Sequence, residues 1–170
     1  DRLAPGAFVA VYDFGGGTFD TAVLRRTTDG FEWVGDAGGD DSLGGEDLDY
    51  RLYELIGELL GAEDSELWAS ISESDERRWV RANAELQEQV RKAKESLSTY
   101  PTTRVPIPNS DRDVLVTREQ FEDLIHDDIV ATVDEMERTI RSAGLEPNQL
   151  DLVYLAGGSS RIPLVQRVMT

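Results

Sequence analysis

Apolar positions along this chain change period in an orderly way. Residues 8–14, 18–26 and 31–37 are short β-branched or aromatic runs separated by glycines and by Thr28-Asp29-Gly30, which predicts a meander of three strands. The period then becomes helical. Leu48, Leu52, Leu55, Ile56, Leu59 and Leu60 recur at spacings of three and four, with Gly61 as the expected stop. Trp79, Ala82, Leu86, Val90, Ala93 and Leu97 form a second stripe that ends before Pro101, and residues 62–75 between the stripes read as a mobile connection. Residues 104–108 and 113–117 predict a hairpin around Asn109-Ser110-Asp111. Thr117 and Gln120 have capping-box spacing and open a long helix through Phe121, Leu124, Ile129, Val133, Met136 and Ile140, closed by Gly144 and Pro147. A last strand at 152–156 precedes a helix start at Pro163.

Strands followed by helices in this order predict an α/β fold of one domain's size. The 170 residues are enough to bury roughly 70% of the unfolded surface. With 34 acidic against 17 basic residues the formal charge is −17, which repels a phosphate backbone, and no basic run exceeds Arg25-Arg26 or Arg91-Lys92, so nucleic acid is not expected as a partner. The absence of cysteine excludes disulfides, thiolate catalysis and Cys-ligated zinc, and fits a reducing, cytoplasmic compartment. No apolar run approaches the ~20 residues that span a bilayer, so no membrane role is expected. The single histidine, His126, stands beside Asp127 and Asp128 and reads as a solvated surface residue. Both ends cut into patterned sequence and there is no initiating Met, which predicts a piece of something larger, and the helix stripes and strand meander offer a continuous core, which predicts that it folds as a monomer.

The chemistry concentrates at two glycine turns. In Asp13-Phe14-Gly15-Gly16-Gly17-Thr18-Phe19-Asp20 a carboxylate ends one apolar run and three glycines lead into the next. Amides bared by glycine can close around phosphate oxygens, and Asp13 and Asp20 can reach a metal ion or its water shell. A hairpin that needs glycine for positive φ is the competing reading. The second turn, Ala156-Gly157-Gly158-Ser159-Ser160-Arg161-Ile162-Pro163, also follows an apolar run. Two such turns fit two ends of one nucleotide. An adenine ring takes a flat gap between a guanidinium or aliphatic face and a backbone turn, which Arg161 and Ile162 can supply.

Together these segments resemble the nucleotide-binding domain of the seventy-kilodalton heat-shock chaperones, the DnaK-type branch of the actin-like ATPases, over nearly the whole chain. The first glycine turn is similar to that family's second phosphate motif, and Leu43-Gly44-Gly45-Glu46-Asp47-Leu48-Asp49 to its turn into the next subdomain. Lys92-Ala93-Lys94-Glu95-Ser96-Leu97-Ser98 is similar to its adenosine-contacting helix, and residues 157–163 to its adenosine motif.

The resemblance implies lobe II of such a domain: a ribonuclease H-like core over 1–42 and 118–170, with an inserted helical and hairpin subdomain over 43–117. It implies ATP or ADP with Mg2+ as cofactors. Asp13, Thr18 and Asp20 are then the catalytic candidates, incomplete without lobe I, and Asp13 reaches magnesium through water. Gly15, Gly16, Gly17 and Thr18 would line the β- and γ-phosphates, with Gly45 and Glu46 at the phosphate edge. Lys94 and Ser98 would approach adenine and ribose, and Gly157, Gly158, Ser159, Arg161 and Ile162 would form the base slot. Glu46 and Asp47 also read as ordinary first-turn acids, Lys94 as a solvated helix face and Ser98 as a cap.

One residue departs from the family pattern. Arg91 stands where the family usually has a Glu that grips the ribose hydroxyls, and a guanidinium cannot accept their hydrogens. The resemblance further implies lobe I and a peptide-binding domain elsewhere in the parent protein. Exchange factors that hold the inserted subdomain, together with J-domain co-chaperones, are the implied partners. A degenerate relative that uses the fold as an interaction module, an actin-like filament subunit and a sugar kinase are the alternatives. A protein kinase lacks its catalytic loop here, and a dinucleotide fold would need a helix where residues 18–23 alternate like a strand.

Overall fold

The computed structural model describes residues 3–170, so the part of the expected core at residues 1 and 2 lies outside the described residues. The chain is α/β and divides into two compact units, residues up to 47 with 126–170, and residues 48–125. These divisions fall inside helices, whereas the sequence places the junctions at 42/43 and 117/118.

The first unit is built on β1 (Phe8–Phe14), β2 (Phe19–Arg26), β3 (Phe31–Asp40) and β6 (Leu152–Ala156), in the order β3-β2-β1-β6. The three meander strands pair antiparallel and β6 adds to β1 in parallel. Alternation puts Ala10, Tyr12, Phe14, Phe19, Thr21 and Val23 on one buried face. The carboxyl-terminal part of α4 (Arg118–Ser142) lies on that face, where Tyr12 and Thr132 share a 2.7 Å hydrogen bond. Thr132 donates its own hydrogen to the Ile129 carbonyl, so the phenol is the donor to Thr132. Strand β3 runs three residues beyond the expected end at Ala37. A bulge opposite Thr21 and Val23, with Gly35 at φ 71 against Ala143, bends the strand and lets pairing resume at Gly38.

The ends of α4 follow the sequence signals. Gln120 donates its backbone N–H to Thr117 Oγ1 at 3.1 Å, and the Gln120 side chain accepts from the Thr117 N–H at 2.9 Å. At the other end Gly144 at φ 76 donates to Arg141, and Leu145 donates to Ile140, the bonding of a Schellman motif.

The second unit holds most of α1 (Gly45–Glu63), α2 (Ser65–Glu73), α3 (Arg77–Leu97) and the hairpin of β4 (Thr102–Pro106) and β5 (Asp113–Thr117). Its core is Leu48, Leu52, Ile56, Leu60, Ile71, Ala82, Leu86, Val90, Leu97, Val105, Val116 and Phe121. Two expectations are corrected here. Gly61 does not stop α1, which runs on to Glu63, because Gly57 and Gly61 make the flat surface on which the Trp68 indole lies. Residues 62–75 are not a mobile connection. They contain α2, whose N-cap Asp64 accepts from the Leu67 N–H at 3.0 Å and is tied by Arg112 at 3.4 Å. Among the described residues no helix is long and apolar enough to cross a membrane.

Burial pushes the Tyr12 phenol up to about 12. A group raised in the folded state adds stability that is complete below its ordinary value near 10 and is lost as pH climbs through the folded one. At about 1.4 kcal/mol per pH unit, the wild type should lose on the order of 2–3 kcal/mol from this group between pH 10 and 12, a loss Tyr12→Phe should not show. At pH 7 the same variant should be less stable by about 1 kcal/mol for the lost hydrogen bond. Urea unfolding of both proteins across this range measures the two effects.

Candidate functional site

Three loops of the first unit converge at the ends of β1 and β6. Phe14 and Phe19 pair across β1 and β2 and pack edge to face at 5.9 Å, with Tyr12 against Phe19 at 4.6 Å, so an aromatic cluster anchors the first glycine turn from below. Above it the Gly15 N–H donates to the Thr18 carbonyl at 3.0 Å and closes the turn. None of Gly15, Gly16 and Gly17 has positive φ, and a Cβ at Gly16 or Gly17 would meet nothing within 4 Å. The turn does close a β1–β2 hairpin, but no glycine in it supplies a left-handed conformation.

The second loop is the start of α1. Gly45 donates its N–H to the Gly15 carbonyl at 2.9 Å and Glu46 donates to the Gly16 carbonyl at 2.8 Å. Gly44 lies directly on Gly17, where a Cβ would come within 2.7 Å of the Gly17 Cα. The first two amides of α1 thus fix the turn rather than face outward. The Asp47 carboxylate accepts from the Gly44 N–H at 2.7 Å, which makes it the capping acid of the first turn, while Glu46 extends exposed.

Gly157 opens the third loop at φ 78, against the Phe14 carbonyl and the Asp13 carboxylate. Ser160 closes this turn on the Gly157 carbonyl at 2.7 Å, and Ser159 Oγ donates to the Gly15 carbonyl at 3.3 Å. The Gly15 carbonyl thereby joins all three loops. Gly158 and Arg161 are exposed. Ile162 is 3% exposed and belongs to the core, so the aliphatic face expected from it is not available and Arg161 remains as the side-chain wall.

Asp13 and Asp20 are cross-strand partners, so their carboxylates emerge on one face of the sheet at the mouth of the glycine turn. Thr18 Oγ1 donates to Asp20 at 2.9 Å. Like charges directly opposite are unfavourable, and a cation relieves them. Among the described residues no group of three or more His, Cys, Asp or Glu side chains could hold a metal. Two carboxylates suit an ion such as Mg2+ that keeps several waters and takes further oxygens from a phosphate.

The remaining expected site residues belong to the second unit. Arg91 is exposed on α3 and donates to Glu88 one turn earlier at 2.9 Å. Lys94 is not a solvated helix face: its ammonium meets the Asp49 carboxylate of α1 at 2.7 Å, with the two side chains 12% and 19% exposed. Ser98 is the C-cap of α3. Gly44 and Asp49 gain roles that the sequence reading did not assign to them. For Gly44 the available signal was two consecutive glycines ahead of an acidic helix start; for Asp49, a carboxylate one residue after a stripe position carried none.

A family model described as Hsp70 protein matches residues 4–170. The chain is similar to the chaperone protein HscA of Salmonella newport (strain SL254) and of Salmonella typhimurium (strain LT2), each 39% identical over 158 residues. Its similarity to HscA of Pectobacterium carotovorum subsp. carotovorum (strain PC1) is 38% over the same length. The match takes in 93% of this chain and 23% of each of these relatives, so the chain spans about a quarter of their length.

The geometry separates glycines that the fold requires from those it does not. Gly44→Ala forces a methyl into the Gly17 backbone and should cost roughly 1–3 kcal/mol. Gly16→Ala and Gly17→Ala should be neutral, or stabilising by up to about 1 kcal/mol, because they only restrict the unfolded chain. Denaturant midpoints of the three variants test this ordering.

Proposed function

The chain belongs to the Hsp70 family, and from that membership we propose that it forms the adenine-nucleotide-binding lobe of a chaperone ATPase, gating nucleotide exchange and coupling nucleotide state to protein folding. One observation carries this reading: Gly16 and Gly17 are glycine although neither φ nor packing demands it. A turn kept bare without structural need is a turn that something must approach, and phosphate oxygens approach backbone amides in this way.

On this proposal Gly15, Gly16, Gly17 and Thr18 receive the β- and γ-phosphates. Asp13 and Asp20 hold the water shell of Mg2+, which when bound would neutralise charge developing on the phosphate. Thr18 positions Asp20. The first turn of α1 braces the phosphate turn from behind, Gly157, Gly158, Ser159 and Arg161 form the base slot, and Lys94 and Ser98 reach the nucleoside. The antiparallel meander with β6 added in parallel after α4 supports a ribonuclease H-like core. A cytoplasmic location, a companion lobe and peptide-binding domain in the parent protein, and J-domain and exchange-factor partners complete the proposal. Bidentate acceptance by a carboxylate at position 91 is missing, so the ribose hydroxyls are held less firmly than the rest of the nucleotide.

Two measurements test this reading. Gly17→Ala and Gly17→Val should weaken ADP–Mg2+ binding at least about tenfold while adenosine binding changes little, because the added carbon stands where the phosphate stands; equal affinities in calorimetric titration would remove the phosphate turn from the site. Arg91→Glu should tighten adenosine on the order of ten- to a hundredfold and pyrophosphate not at all, since hydrogen bonds to a charged group contribute ~1.5–3 kcal/mol. Unchanged adenosine affinity would mean that α3 does not grip the ribose.

A further inference from the structure

We propose that Asp49 is a positioning residue for the nucleoside: by holding the Lys94 ammonium between α1 and α3 it makes Lys94 a fixed donor of compensated charge, which favours the uncharged nucleoside over free polyphosphate. The inference rests on the reading that Lys94 reaches the nucleoside, and the geometry supporting it lies within one unit. Lys94 and Asp49 meet at 2.7 Å in a shielded position. By contrast the neighbouring Arg91–Glu88 pair is 56% and 44% exposed, and Lys92 stands 3.8 Å from the same Glu88. A lysine ammonium on four flexible carbons carries large rotamer entropy, and an exposed one would be free to seek the nearest phosphate. Asp49 limits that freedom and offsets the charge.

The pair does not look like a device for stability. Desolvation pushes the Asp49 carboxyl above its usual range, with Lys94 opposing, so its charge is held at some cost. A shielded pair of this kind contributes little net stability compared with apolar residues of the same volume. The other α3 cations near Asp49 are also matched with carboxylates: Glu88 takes Arg91 and Lys92, and Glu95 adds its negative charge. The carboxyl-terminal end of this helix, with Asp49 against it, therefore offers little surplus positive charge to phosphate.

The test is calorimetric titration of this chain with adenosine and with pyrophosphate at fixed salt, in the wild type, Asp49→Asn, Lys94→Gln and the double variant, each checked for folding by its thermal transition. Asp49→Asn should weaken adenosine about tenfold while pyrophosphate stays level or tightens, and the double variant should bind adenosine no worse than Lys94→Gln alone. A purely structural role would move both ligands together, and that result, or additive losses in the double variant, would overturn the proposal. If Lys94→Gln leaves adenosine unchanged, the nucleoside assignment of Lys94 falls and this inference with it. If Lys94→Gln weakens adenosine but Asp49→Asn keeps the wild-type ratio of affinities, only the positioning role of Asp49 falls. Should Asp49→Asn not fold, Lys94→Arg gives the same reading, because it keeps the charge and moves the donor: adenosine should weaken and pyrophosphate should not, and no change in either would overturn the proposal.

Discussion

Two hydrogen bonds from the first amides of α1 to the Gly15 and Gly16 carbonyls are the constraint on which the rest of the site depends. A turn of three successive glycines has more conformational freedom to lose than any other sequence of its length. The aromatic cluster of Tyr12, Phe14 and Phe19 holds its two ends, but no side chain can hold its middle, because there is none. Carbonyls bound from behind by a helix N-terminus, and by the Ser159 hydroxyl, hold the turn in place. Gly44 is the residue that permits this approach, since any larger side chain would separate α1 from the turn.

This use of the helix N-terminus changes how its charge is understood. A free helix N-terminus attracts anions through its unpaired amides and its dipole. Here the first two amides are spent on carbonyls and the Gly44 amide on the Asp47 carboxylate, so α1 contributes rigidity before it contributes charge. The facing carboxylates of Asp13 and Asp20 act in the opposite sense and make the mouth of the turn hostile to a bare anion. On the proposed reading an anion that arrives with a divalent cation satisfies both, which favours a metal-complexed phosphate over a free one.

Most elements of both units were legible in the sequence, because period and capping act locally. The meander, the α3 stripe, the capping box at Thr117 and Gln120 and the Gly144 terminus each depend on residues within a few positions of one another. The failures share a different cause. Gly61 reads as a stop by its own propensity, yet Trp68 on the next helix turns it into a packing surface. Residues 62–75 are polar enough to read as a linker, and their helix is set by a cap and by Arg112, which is distant in sequence. The extension of β3 past Ala37 was hidden because glycines weaken strand propensity while permitting the bulge that lets pairing continue. Within the site, glycine positions were legible from sequence, but which glycines the fold needs was not, since that depends on what lies within a few ångströms of an absent Cβ.

The same distinction governs the charged residues of α3. Arg91, Lys92 and Lys94 look alike in sequence as cations on one helix, but their partners differ in depth: Glu88 meets the first two near solvent, while Asp49 meets the third between helices. Exposed pairs exchange partners easily and are screened by salt, so they place no group to within an ångström. A shielded pair gives up that freedom and in return holds its ammonium close to one carboxylate. Where recognition of a nucleoside depends on a donor at a set angle, the value of a lysine follows from the carboxylate that limits it, and the helix carrying that carboxylate becomes part of the recognition even though it need touch no ligand.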